Sequence, residues 1–126
     1  MEWIKNHEPG ASRFFAVLRA AQAGEVQLLL STINRGEVFY NCWNEWDKAT
    51  AEEVLRRLHR VPLLVVHPTE DDVMAAARVK AEYKIAYADA FAAVLAIQFA
   101  APVLTGDRDF LRLRDAGVLT LHWLGA

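Results

Sequence analysis

Four short, nearly continuous apolar runs constrain the fold of this chain more than any other feature: "VQLLLST" (26–32), "VPLLVVH" (61–67), "PVLT" (102–105) and "VLTLHW" (118–123). Runs of that length without regular polar alternation describe strands covered on both faces. The segments between them carry helical spacing. "SRFFAVLRAAQAGE" (12–25) places Phe15, Leu18, Arg19 and Gln22 on one side and stops at Gly24. After the first strand, Ser31 or Thr32 is placed to cap a helix through "INRGEVFYNCWNEW", followed by a second helix, "KATAEEVLRRLHR". Thr69 and Asp72 resemble a capping box opening the helix "EDDVMAAARVKAEY" (70–83). An alanine-rich helix spans about 86–100, and a short one surrounds "RDFLRLRDAG". Strands alternating with helices predict an α/β fold with a parallel central sheet flanked by helices. With 126 residues and no linker or repeat, the expectation is one domain over 1–126.

Composition matters mainly for what it excludes. The formal net charge is −2, from 14 basic and 16 acidic residues, so the chain as a whole has no attraction for nucleic acid or anionic lipid. An RNA substrate would need a local basic patch or bound cations. Cys42 is the only cysteine, which excludes an intrachain disulfide, and it reads as a packing residue. One free thiol and no signal peptide lead to the expectation of a cytoplasmic protein. The apolar stretch 85–104 approaches bilayer length but carries Asp89 and Pro102, so it reads as a buried helix followed by a strand rather than a membrane span.

Three acidic residues stand in unusual company. Asp89 is the only charged residue between Lys84 and Asp107, and its helical neighbours are Ile85, Ala86, Ala92 and Ala93. Glu37 has Ile33 and Tyr40 a turn away on either side. Asp107 follows the strand "PVLT" within "LTGDRDFLRL", with Asp109 two residues on. Each has an ordinary explanation on its own: a hydrogen bond to a helix terminus, an ion pair such as Glu37 with Arg35, or negative charge at a helix start. Taken jointly, Glu37 and Asp107 each follow a strand, and Asp89 lies near the start of the helix leading into the second of those strands. In open α/β sheets that edge binds ligands. Clustered carboxylates suit hard cations such as Mg²⁺ or Mn²⁺, which assist phosphodiester cleavage. His7, His59, His67 and His122 show no ligand spacing.

The segments "LLLSTINRGEVFYN", "AYADAFAAVLA" and "APVLTGDRDFLRL" resemble, in that order, the PIN domain (PilT N-terminus) family. They are most similar to its VapC-type toxin ribonucleases, from type II toxin–antitoxin systems of bacteria. The resemblance runs over almost the whole chain, including "EPGA" at 8–11. It implies a three-layer α/β/α fold and an endoribonuclease using Mg²⁺ or Mn²⁺. It also implies RNA as substrate, a cognate antitoxin protein as partner, a homodimer and no membrane association. Glu37, Asp89 and Asp107 would be the catalytic metal ligands. Asp109 would be an auxiliary carboxylate and Thr105 a supporting hydroxyl. Read from the residues themselves, Arg108 and Arg112, with Arg35, Lys84 and Arg114, could supply RNA phosphate contacts near the strand ends, although each taken singly reads as an ordinary solvated charge. Trp3, Trp43, Trp46 and Trp123 would pack in the core or a dimer, or stack on bases.

Family members open with an apolar strand ending in an aspartate, whereas this chain opens "MEWIKNHEPG", which resembles the segment just after that strand. The expectation is therefore that the first strand and first aspartate are missing, that Met1 is not the natural start, and that in-frame upstream codons encode both. Two rival readings accompany the nuclease. One is a catalytically impaired module that binds RNA or an antitoxin. The other is a phosphoacceptor receiver domain, for which neither an acidic pair after the first strand nor a lysine at a late strand end is visible.

Overall fold

The structure is a computed structural model that describes residues 10–125. Its elements run α1 (Gly10–Gln22), β1 (Leu28–Ser31), α2 (Thr32–Glu45), α3 (Lys48–His59), β2 (Leu63–Val66), α4 (Glu70–Tyr83), α5 (Tyr87–Phe99), β3 (Val103–Thr105), α6 (Asp109–Asp115) and β4 (Leu121–Trp123). This is an α/β fold with parallel strands flanked by helices. The expected strand before the first long helix would lie outside the described residues, as do Trp3 and His7.

Local chemistry explains most boundaries. The Ser31 side chain caps α2 by accepting from Ile33 N–H at 3.2 Å. Thr69 and Asp72 form the capping box of α4. Helix α1 stops before Gly24, which takes φ +78° while Glu25 N–H returns to the Ala20 carbonyl. The last strand is shorter than the run "VLTLHW" suggests. Gly117 turns at φ +75° and Val118 N–H bonds the Leu113 carbonyl, so Val118 and Leu119 close α6 and pack as a loop on the core. Apolarity placed them inside without making them strand.

Among the described residues the strands form two parallel pairs. Leu28–Ser31 aligns with Leu63–Val66, and Val103–Thr105 with Leu121–Trp123. Helix α5 packs against both β1 and β3. It is apolar nearly all round and contributes Ala90, Phe91, Ala93, Val94 and Ala96 to a core shared with Ala76, Ile85, Val103, Phe110 and Leu113. A second cluster of Val38, Cys42 and Ala51 joins α2 to α3, so the lone cysteine is a buried free thiol used in packing. No described helix is long and apolar enough to cross a membrane.

Candidate metal centre

The carboxylates reach one place because the start of α5 meets the turn between β3 and α6. Asp89 lies in the first turn of α5, Asp107 in the turn after β3, and Asp109 opens α6. One carboxylate oxygen from each lies within 4.8 Å of the other two. With bonds of about 2.1 Å, neighbouring ligands of Mg²⁺ stand about 3 Å apart and opposite ones about 4.2 Å, so the trio would draw closer together to share one ion. Its donors are all oxygens and include no histidine or thiol, which fits Mg²⁺ or Mn²⁺ rather than a soft metal.

The turn around Asp107 holds its carboxylate in place. The buried Thr105 hydroxyl accepts from Asp107 N–H at 3.0 Å, and Asp107 Oδ1 accepts from Asp109 N–H at 2.9 Å. Asp107 thus both braces the turn into α6, just before its N-cap Arg108, and belongs to the acidic trio. The spacing Asp-Arg-Asp follows from the turn: Asp107 and Asp109 approach from its two ends while Arg108 is exposed.

Electrostatics mark Asp89 as the strained member. Burial pushes its carboxyl up to about 6, and Glu37, Asp107 and Asp109 push in the same direction. Unit charges 4 Å apart repel by about 4 kcal/mol at an effective dielectric of 20, so the neighbouring carboxylates add to the effect of burial on Asp89. Burial likewise raises Glu37, partly offset by a hydrogen bond from the Asn34 side chain, with Asp107 adding a smaller upward push. Glu37 therefore stands beside the trio and feels its charge, without belonging to the 4.8 Å group.

The remaining sequence candidates separate. Arg112 reaches back one helical turn to Asp109 at 3.7 Å, an exposed pair. Trp43 and Trp46 are exposed on the last turns of α2, and Trp43 meets Phe39 edge-on at 5.7 Å. Asn34 was absent from the sequence candidates. Its side-chain amide donates to the Ala88 carbonyl at 2.8 Å, linking α2 to the residue before Asp89. The available signal was weak: a polar residue one turn before Glu37 on the same helix face. Its distant partner is a backbone carbonyl, which no sequence pattern marks.

Comparison with known proteins agrees with this architecture. No curated protein matches the chain. The solved structure of VapBC-1 from nontypeable Haemophilus influenzae is similar with a TM-score of 0.59, covering 83% of this chain and 83% of that one at 17% identity. That level of identity shows a shared fold. The PIN domain family matches residues 1–116, most of the chain. This chain belongs to the PIN domain family.

Proposed function

We propose that this chain is a metal-dependent endoribonuclease of the VapC toxin type, neutralised by a cognate antitoxin. The observation that carries the reading is the convergence of Asp89, from the start of α5, with Asp107 and Asp109, from the turn into α6, with Glu37 alongside. A Mg²⁺ or Mn²⁺ ion there would supply Lewis acidity. The carboxylates of Asp89, Asp107 and Asp109 would hold the ion, and Thr105 fixes the Asp107 turn. Glu37 extends the acidic wall and favours a cation over a second anion. Hydrolysis adds water at phosphorus and breaks one P–O ester bond, and the departing ribose oxygen takes up a proton. Exposed Arg108, before α6, and exposed Arg112, on it, would meet flanking phosphates.

The toxin–antitoxin assignment takes its support from the motif resemblance and from the fold shared with VapBC-1. An antitoxin presenting an arginine or lysine to the acidic trio would neutralise it and exclude the metal. A homodimer and a cytoplasmic location belong to the same proposal. One observation favours a second reading, an impaired module that binds RNA or antitoxin without cutting. Among the described residues the tight group has three carboxylates, with Glu37 outside it.

Incubation of the chain with single-stranded RNA and Mn²⁺, followed by separation of the products, tests the reading. Cleavage that Asp107→Ala and EDTA each remove is the expected result. Tight Mn²⁺ and RNA binding without cleavage would select the binding module.

A further inference from the structure

We infer that Tyr87 is the base-stacking residue of this site: its exposed ring takes the face of an RNA base next to the phosphate that lies at the carboxylates. This inference rests on the proposed nuclease reading and extends that site from the metal to the substrate. Tyr87 is the first residue of α5 and Asp89 the third, so ring and carboxylate leave the same helical turn. The middle of that helix is committed to the core, with Ala90, Phe91, Ala93, Val94, Leu95 and Ala96 all buried. Tyr87 instead keeps 43% of its surface exposed. Its ring is nevertheless held, edge-on to buried Phe91 one turn along, with 4.9 Å between centroids. Exposed Ile33 belongs to the same junction, because its neighbour Asn34 donates to the carbonyl of Ala88, the neighbour of Tyr87, at 2.8 Å. Among the described exposed aromatic residues, Tyr87 alone shares a helical turn with a member of the acidic trio.

A neutral aromatic contact suits this place. The chain carries a net charge of −2 and its carboxylates crowd the site, so charge alone does not draw RNA there. A lysine or arginine beside Asp89 would pair with the carboxylates and compete with a metal ion for them. An aromatic ring adds affinity through the π-face that every base presents, and leaves the negative charge available to a cation. Because Phe91 already holds the ring, less freedom is lost when a base settles on it. The base must itself be unstacked, as in a single strand or a loop.

The test pairs Tyr87→Leu with a set of short single-stranded RNAs, each lacking one base. Single-turnover cleavage over a range of protein concentrations separates affinity from rate, and fluorescence anisotropy gives the affinity if RNA binds uncut. Loss of one base–aromatic stack corresponds to about 5–150-fold in affinity, the range expected for Tyr87→Leu on intact RNA. On the RNA whose missing base faces residue 87, the same substitution should change affinity by less than about twofold, because ring and base form one interaction. Tyr87→Trp keeps a ring and should bind intact RNA within about threefold of the unaltered chain. Mn²⁺ affinity should be unchanged in both variants. Should Tyr87→Leu not fold, Tyr87→Met puts a flexible arm in place of the ring and carries the same expectation. Unchanged RNA affinity in the folded variant, a loss equal on every RNA of the set, or a parallel loss of Mn²⁺ affinity overturns this inference alone. Weakened antitoxin binding with RNA affinity intact would assign the ring to a protein partner and overturns it as well. An unaltered chain that neither binds nor cuts RNA overturns it together with the nuclease reading.

Discussion

The backbone N–H of Asp109 donates to Oδ1 of Asp107 at 2.9 Å while a carboxylate oxygen of each also faces Asp89. Bracing the turn and binding a metal are therefore not alternatives for Asp107, and two substitutions separate them. Asp107→Ala removes the acceptor and should cost about 1 kcal/mol of stability as well as metal binding. Asp107→Asn keeps an acceptor oxygen, so it should retain most of the stability and still lose Mn²⁺ affinity. Urea titrations and Mn²⁺ binding on the same two proteins decide the matter. Equal stability losses in both variants would mean that the charge, not the acceptor, holds the turn.

Asp89 behaves oppositely because it has charge to lose and no cap to give up. Asp89→Asn is expected to abolish Mn²⁺ binding and to leave the metal-free fold equally stable, or more stable by up to about 2 kcal/mol at neutral pH. Thermal melts with EDTA and with Mn²⁺ measure both effects. A loss of several kcal/mol without metal would make Asp89 a structural hydrogen-bond acceptor and remove it from the site.

The pH dependence of the metal-free protein takes its sign from the same residue. A carboxyl raised to about 6 binds its proton more tightly folded than unfolded. Its contribution to stability is complete below about pH 4 and disappears as pH rises through about 6, a change on the order of 2 kcal/mol. Glu37, also raised, acts in the same direction. In EDTA the chain should therefore be more stable at pH 5 than at pH 7.5. Mn²⁺ should reverse that order, since its ligands must be deprotonated. Denaturant midpoints at the two pH values test this, and a metal-free midpoint higher at pH 7.5 would contradict the crowding of the carboxylates.

The edges of the two strand pairs make a prediction for hydrogen exchange. Val103 N–H bonds the Thr120 carbonyl and Leu124 N–H bonds the Thr105 carbonyl, so β3 turns Val103 and Thr105 toward β4. In a parallel ladder the alternate residue, Leu104, then directs its N–H and carbonyl to the opposite edge. Among the described residues no strand pairs with that edge. The Leu104 amide is expected to exchange well before that of Val103. Equal protection would show that a segment outside the described residues pairs there.

Helix α5 ends on Ala100 in the left-handed region at φ +50°, a conformation that costs a residue with a Cβ about 1–2 kcal/mol. Ala100→Gly should raise stability by about 0.5–1 kcal/mol with Mn²⁺ affinity unchanged, as a denaturant melt would show.

Much of the fold was legible in the chain because its cues are local. Apolar runs between turn residues mark strands, and Ser31, Thr69 and Asp72 cap the helices after them with side chains two or three residues away. Asp89 stood out for a similar reason: a charge inside a helix of alanines needs an explanation wherever the helix packs. Distance across the fold is a different matter. The equal closeness of Asp109 and Asp107 to Asp89, the position of Glu37 beside that trio, and the reach of Asn34 to the Ala88 carbonyl all depend on α5 lying against both β1 and β3. The same packing brings the ends of those strands to common carboxylates although β1 and β3 do not pair. Periodicity determines which face of an element is buried, whereas the meeting of the α5 start with the turn into α6 is set by how buried surfaces fit together, and only the tertiary structure decides that.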